Sequence, residues 1–154
     1  MKARTLLVSL AMSCAGLALC LAADMNMGTW KLNEAKSKFP PGATKNNKVV
    51  YAALGDGVKI TVDGVSGDGK STHSEWAGKY DGKDYPVIGD PGSDARSYKK
   101  VDERTLDFAV KKGGKTLLTG RVVVSADGKS RTVTTTETES SGKKVTTTAS
   151  YDKQ

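Results

Sequence analysis

The sequence predicts an all-β protein, a single antiparallel up-and-down β-barrel of about 8–10 strands. Glycine-containing turn motifs recur along the chain after residue 22. Between them, apolar and polar residues alternate, as Val58, Ile60 and Val62 do with Lys59 and Thr61. Val and Thr, which favour strands, are abundant in these segments. A long meander leaves unpaired edges unless it closes, so a barrel is favoured over the alternatives, an open sheet or a β-sandwich.

Each predicted strand ends at a turn whose residues suit a hairpin. Asp-Gly pairs supply the positive φ angles of tight turns, because glycine has no Cβ and aspartate tolerates the left-handed region. Turns are expected at residues 55–57, 67–70, 81–83, 113–115, 127–129 and 141–143. The predicted strands are residues 29–32, 48–54, 58–65, 72–79, 85–88, 95–100, 106–111, 116–125, 131–139 and 144–152.

Two positions are expected to interrupt the strand pattern. Gly120 shares a predicted face with Leu118 and Val122, and its missing side chain predicts a bend or a bulge. Asn33 suits the N-cap of one short helical turn over residues 33–38. The rest of the chain after residue 22 lacks the period of an amphipathic helix.

The first 22 residues have the pattern of a secretory signal peptide. Lys2 and Arg4 precede an uncharged apolar run over residues 5–22, and Cys20 with Ala22 forms a small-x-small cleavage pattern. A retained membrane anchor is the alternative, although about 18 residues are only just enough to span a bilayer. We therefore expect a signal peptide at residues 1–22, one barrel domain at residues 23–154, and a periplasmic or extracellular protein. Both cysteines lie in the first segment, so the mature domain has neither a disulfide nor a thiolate nucleophile.

Charge and composition exclude several classes of function. The chain has 24 Lys and Arg against 17 Asp and Glu, for a net charge of +7. Most of the basic residues are single lysines at turns, whereas nucleic-acid binding needs clustered Lys and Arg with exposed aromatic side chains. We expect no nucleic-acid partner, no cofactor, no membrane span after signal cleavage, and a monomer.

Residues 64–71 match the P-loop pattern G-x-x-x-x-G-K-S, which holds phosphates when a helix follows it. Here the following residues, 72–76, have the alternation of a strand, so the required helix N-terminus is missing. We interpret the motif as a glycine-rich hairpin turn.

His73 is the only histidine, and it lies two residues from Glu75 on the same predicted strand face. This pair resembles part of a general-base or metal site, but one histidine cannot form a multi-histidine zinc site. The alternation predicts that the face is exposed to solvent. Four aspartates within residues 81–94 lack EF-hand spacing, and each suits the capping of backbone N–H groups at turns. The sequence predicts neither a metal site nor a catalytic residue.

Residues 28–32, Gly-Thr-Trp-Lys-Leu, resemble the Gly-x-Trp opening of lipocalins and the opening of intracellular fatty-acid-binding proteins. Residues 150–154 are similar to the last strand of the latter family, but residues 33–47 are too short and too rich in Pro and Gly for its two-helix lid. Residues 81–87 and 102–106 are also similar to a widespread group of small secreted bacterial proteins, a resemblance that implies no activity.

The resemblance implies a lipocalin-like, calycin-type barrel in which Trp30 closes the floor. In such barrels an Arg or Lys from a late strand packs on this tryptophan. No arginine follows Arg131, so Lys144 and Lys153 are the candidates near the end of the chain.

The function that these patterns favour is the binding of a small apolar or amphipathic ligand inside the barrel. Threonines line one face of each of the last two strands, and the opposite faces carry small side chains that leave room for a ligand. The alternatives are a cell-envelope structural or interaction module with a filled barrel, and a small hydrolase or isomerase that uses His73 or paired carboxylates. The predicted ligand-binding residues are Trp76, Tyr80, Tyr98, Phe108 and Arg121, with Arg121 pairing an anionic head group.

Overall fold

Ten antiparallel strands form one closed barrel in a computed structural model that describes residues 24–139 and 141–154. The predicted signal peptide at residues 1–22 lies outside the described residues. Each strand pairs with its neighbours in sequence, and the last strand closes on the first, so the predicted up-and-down barrel is confirmed. The strands are β1 (Gly28–Lys38), β2 (Lys45–Leu54), β3 (Gly57–Val65), β4 (Ser71–Gly78), β5 (Asp81–Ile88), β6 (Ala95–Lys100), β7 (Thr105–Lys112), β8 (Lys115–Val124), β9 (Ser130–Thr138) and β10 (Lys144–Lys153).

Alternation along the strands separates the interior of the barrel from its outer face. Val58, Ile60 and Val62 on β3 are all buried, and the residues between them are more exposed. The pairing of Ile60 with Tyr51 on one side and Trp76 on the other continues the inward face across three strands. The same rule holds around the barrel, because the side-chain period of a strand is two.

The two ends of the interior differ. At the floor, Trp30, Tyr51, Arg131 and Tyr151 are buried, and the turn at residues 24–27 covers them. The mouth is the opposite end, where the turns following β1, β3, β5, β7 and β9 lie. On β8, β9 and β10, four inward residues near the mouth are only half-buried: Leu118, Thr135, Val145 and Thr147. Val110, opposite Leu118 on β7, is buried.

Three local predictions need correction. The predicted turn at residues 81–83 is the start of β5, and Gly82, with a φ of 79°, lies at a register shift between Asp81 and Asp84. Residues 33–38 continue β1 through an irregularity instead of forming a helical turn. Asn33 nevertheless acts like a cap, because its Oδ1 accepts the Lys36 N–H at 3.2 Å.

Gly120 does not form the expected bulge, since the register shift between β7 and β8 follows Val110. Glycine is required at residue 120 because the Phe108 ring packs close to its backbone. A Cβ at residue 120 would lie 2.3 Å from Cζ of Phe108, well inside van der Waals contact.

Candidate functional site

Four of the predicted ligand-binding residues form one aromatic cluster in the interior. The rings of Trp76 and Tyr98 meet edge to face at a centroid distance of 4.8 Å, and Tyr98 stacks on Phe108 at 5.5 Å. Tyr80 joins them, tilted against Tyr98 at 6.2 Å. Aromatic pairs at these distances stabilise a core beyond the area that they bury.

This aromatic wall is anchored at Trp76 and partly exposed at Phe108. The Trp76 indole donates its Nε1–H to the backbone carbonyl of Arg96 at 2.8 Å, and the ring is 1% exposed. Phe108 is half-buried, lies near the middle of β7 opposite Tyr98 and Gly120, and also borders a depression on the outer face beside Gly120.

The floor is closed by a tryptophan between two cations. The Arg131 guanidinium lies 4.7 Å from the centre of the Trp30 ring, and the Lys153 ammonium lies 5.0 Å from it. The Trp30 indole donates to the carbonyl of Asn26 at 2.7 Å. The cation that the resemblance implies over Trp30 is thus present, and both Arg131 and Lys153 provide it. Lys144, the other candidate, lies at the mouth end of β10.

Arg131 is enclosed by aromatic rings, with no described carboxylate within salt-bridge distance. Its guanidinium is also 4.8 Å from the Tyr51 ring and 4.9 Å from the Tyr151 ring, and the residue is 3% exposed. Nε and Nη1 have no hydrogen-bond partner among the described residues. The π faces of the three rings are therefore what stabilises this buried charge.

We expect Arg131→Ala to lower the free energy of unfolding by about 2–5 kcal/mol, because it leaves a void among three rings. Arg131→Met refills most of that volume and removes a buried charge, so its expected cost is below about 1.5 kcal/mol. Urea denaturation of the three proteins measures both values. An equal loss for the two variants would show that the charge, not the volume, holds the floor together.

Arg96 is the second arginine that faces the interior, and it lies at the mouth end of β6. It shares the inward face with Tyr98 and pairs across strands with Tyr85 and Val110. Its side chain is 13% exposed, and its buried Nε lacks a hydrogen-bond partner among the described residues. Nη2 lies 3.8 Å from Oδ2 of Asp90, which is too far for a hydrogen bond.

Arg121 does not face the interior, and this part of the sequence prediction is wrong. Its neighbours Val122 and Gly120 point inward, so alternation turns Arg121 to the outer face, where its side chain is 56% exposed. Its Nε donates to Oδ1 of Asp107 at 2.6 Å and its Nη2 donates to Oδ2 at 2.9 Å. Arg121 therefore has a carboxylate partner already.

The outer face around Arg121 carries an open depression of about 700 Å³. Threonine hydroxyls, Lys99 and the Arg121–Asp107 pair line it, and Gly120 lies at its base. The predicted threonine rows are present, with Thr134 opposite Thr148 and Thr136 opposite Thr146 across β9 and β10.

The remaining candidate motifs have structural roles. The P-loop pattern forms the β3–β4 hairpin, as expected from its alternation. His73 is exposed on the outer face, where its Nδ1 lies 2.7 Å from Oδ1 of Asp63. That exposure removes the cleft that a hydrolase or isomerase based on His73 requires. Asp90 and Asp94 accept backbone N–H groups from Gly92 and Gly113, and no three potential ligand side chains among the described residues group as a metal site.

Sequence reasoning missed Arg96 and Arg131 as interior residues. The signal was present in the alternation, because Arg96 is two residues from Tyr98 and Arg131 is two residues from Val133. A basic side chain on an apolar face breaks the expected pattern, and it is easily assigned to solvent when the closure of the sheet is unknown.

No protein-family model matches the chain, and no curated protein matches it. Among solved structures, the chain is similar to EF1p2_mFAP2b bound to DFHBI, with 12% identity, 86% of this chain and 97% of that chain covered, and a TM-score of 0.49. It is also similar to a redesigned beta barrel, mFAP1, bound to DFHBI, with 14% identity, 86% and 98% coverage, and a TM-score of 0.44. None of the described residues forms an apolar helix long enough to cross a membrane.

Proposed function

We propose that the barrel binds a small apolar or amphipathic molecule in the half of its interior that opens at the mouth. The observation that carries this proposal is the contrast between the two ends. Floor residues such as Trp30 and Tyr151 are at most 3% exposed, whereas Leu118 and Val145 face inward and remain half-buried. Inward apolar side chains that no other side chain covers are what a ligand would bury.

The chemistry of the open half suits a molecule with an apolar body. Leu118 and Val145 provide aliphatic surface, Phe108 provides an aromatic face, and Thr135 and Thr147 are small enough to leave space. Burial of this surface by a ligand would contribute roughly 25 cal/mol for each Å² removed from water. Among the predicted site residues, we propose Phe108 for direct contact with the ligand, with Trp76, Tyr80 and Tyr98 as the wall behind it.

Export of the protein is a separate part of the proposal. It rests on the signal-peptide pattern of residues 1–22, and a ligand carrier outside the cytoplasm would meet apolar molecules that need solubilisation. Cell fractionation of the full chain, with Ala22 and Cys20 replaced by bulky residues as the control, tests export and cleavage.

Thr147→Phe is expected to weaken binding of the neutral fluorescent probe phenylnaphthylamine by at least about tenfold. The added ring would fill the open half, because Thr147 faces inward opposite Thr135. Thr148→Phe is the matched control, since the next residue along β10 points to the outer face and should bind the probe like the unmodified protein. Fluorescence titration measures both affinities, and circular dichroism checks that each variant is folded.

Equal probe affinity of the two phenylalanine variants would contradict binding in the interior. A complementary measurement is mass spectrometry of small molecules extracted from the purified protein. Co-purified apolar molecules that are absent from Thr147→Phe and present in Thr148→Phe would place them in the same space.

A further inference from the structure

We infer that the ligand carries an anionic head group and that Arg96 binds this group at the mouth, with the apolar part directed toward the floor. The inference rests on the proposed function and adds the class and orientation of the ligand. It depends on three features of Arg96: where its side chain lies, which of its donors are free, and what surrounds it.

One donor of Arg96, on the inward face at the mouth end of β6, has no acceptor among the described residues. Its Nε is buried and lacks a hydrogen-bond partner among the described residues. The nearest acid, Asp90, lies 3.8 Å from Nη2 and already accepts the Gly92 N–H at 2.8 Å and the Ser93 hydroxyl at 2.5 Å. An unpaired donor on a largely buried arginine costs free energy that an anionic oxygen of a ligand would recover.

The neighbours of Arg96 give the ligand its direction. The backbone of Arg96 is fixed by the Trp76 indole, so the guanidinium projects from a rigid part of the aromatic wall. Tyr98 lies two residues further toward the floor on the same face and stacks on Phe108. A head group at Arg96 would therefore place the following carbon atoms against the face of Phe108.

The two other arginines on β8 and β9 are poor alternatives. Arg131 is closed in by the rings of Trp30, Tyr51 and Tyr151, and reaching it would require displacing the floor. Arg121 lies on the outer face and holds Asp107 through two hydrogen bonds.

Among the described residues, Asp90 is the only acid within salt-bridge distance of Arg96. Glu137 is in register with Leu118, which pairs with Val110, which lies on the strand next to Arg96. Three strand spacings of about 4.8 Å separate the two backbones. An anion at Arg96 would therefore approach the near wall of the mouth, where the cation is.

The experiment compares decanoate with decanol, two probes of equal chain length of which only the first is charged. Each displaces phenylnaphthylamine from the unmodified protein and from Arg96→Gln. We expect decanoate to bind the unmodified protein more tightly than decanol does. In Arg96→Gln, decanoate should lose about ten- to hundredfold in affinity, the range for hydrogen bonds to a charged group, while decanol should be unaffected.

Arg121→Gln is the matched control, because it removes the same charge from the outer face and should leave decanoate binding unchanged. Unchanged decanol binding by Arg96→Gln shows that this variant is folded. Equal affinity of the unmodified protein for both probes would overturn the inference and leave the proposed function standing. If Arg131→Met lost the preference for decanoate over decanol while Arg96→Gln kept it, the head group would lie at the floor and the inference would be overturned. Failure of both probes to bind would overturn the inference together with the proposed function.

Discussion

Replacing Trp30 by alanine is expected to lower the free energy of unfolding by about 3–5 kcal/mol. The ring is 0% exposed and fills the floor between the Arg131 guanidinium and the Lys153 ammonium. Its removal leaves a cavity and takes away the π face that both cations contact. It also leaves the Asn26 carbonyl without the indole donor at 2.7 Å. Urea denaturation followed by far-ultraviolet circular dichroism measures the loss.

Two further variants separate the parts of this effect. Trp30→Phe keeps an aromatic face and loses the indole hydrogen bond, so it should cost less than Trp30→Ala. Leu54→Ala removes an apolar side chain of a residue that is 53% exposed, and it should stay within about 0.5 kcal/mol of the unmodified protein. If Trp30→Ala lowered the free energy of unfolding as little as Leu54→Ala does, the floor would not be a closed part of the core that stabilises the barrel.

Alkaline pH is expected to destabilise the barrel steeply, by about 4 kcal/mol for each pH unit above about pH 10. Burial raises the pKa of Tyr151 to about 12, and burial also raises the pKa of Tyr51 and of Tyr80. The Arg131 guanidinium acts in the opposite direction on Tyr51 and Tyr151 without cancelling the effect of burial.

The direction of this pH dependence follows from the number of protons that the folded and unfolded states bind. Above about pH 10 the unfolded chain loses its phenolic protons, whereas the folded barrel keeps those of Tyr51, Tyr80 and Tyr151. The stability is therefore complete below pH 10 and is lost as the pH rises through the folded-state pKa values. Unfolding free energies from urea titrations at about pH 9 and about pH 11 measure the slope.

Tyr151→Phe is the control for this slope. It removes one of the three phenols whose pKa is raised and should reduce the dependence on pH by about one-third. The two proteins share every other titratable group, so the contribution of those groups cancels in the comparison. An identical slope for the unmodified protein and Tyr151→Phe would contradict the assignment to buried tyrosines.

The fold was predictable from local patterns because a strand carries its own signature. Alternation with period two, as in Val58, Ile60 and Val62, identified the strand and its buried face, and glycine turns marked most of its boundaries. The prediction failed at residues 81–83, where the Asp-Gly pair belongs to β5 and Gly82 produces a register shift. The sequence motif is the same for a hairpin turn and for such a shift, so only the pairing partner distinguishes them.

The candidate site was predictable in part. The aromatic residues Trp76, Tyr98 and Phe108 could be assigned to the interior because large apolar side chains are seldom left in water. Arg121, Arg96 and Arg131 are equally basic in the sequence, and composition does not say which of them lies inside. Counting positions from a buried neighbour would have placed each of them correctly.

By itself the sequence determined that the chain forms successive antiparallel strands with alternating faces, since this follows from the pleat and from turns between residues close in the chain. Only the tertiary structure decided which charges meet which rings. Arg131 and Trp30 come from β9 and β1, and their contact exists because the barrel closes through β10. Closure of the barrel also decided which end is filled. Side chains from different strands meet at the barrel axis only after the sheet closes, and at the floor those side chains are large.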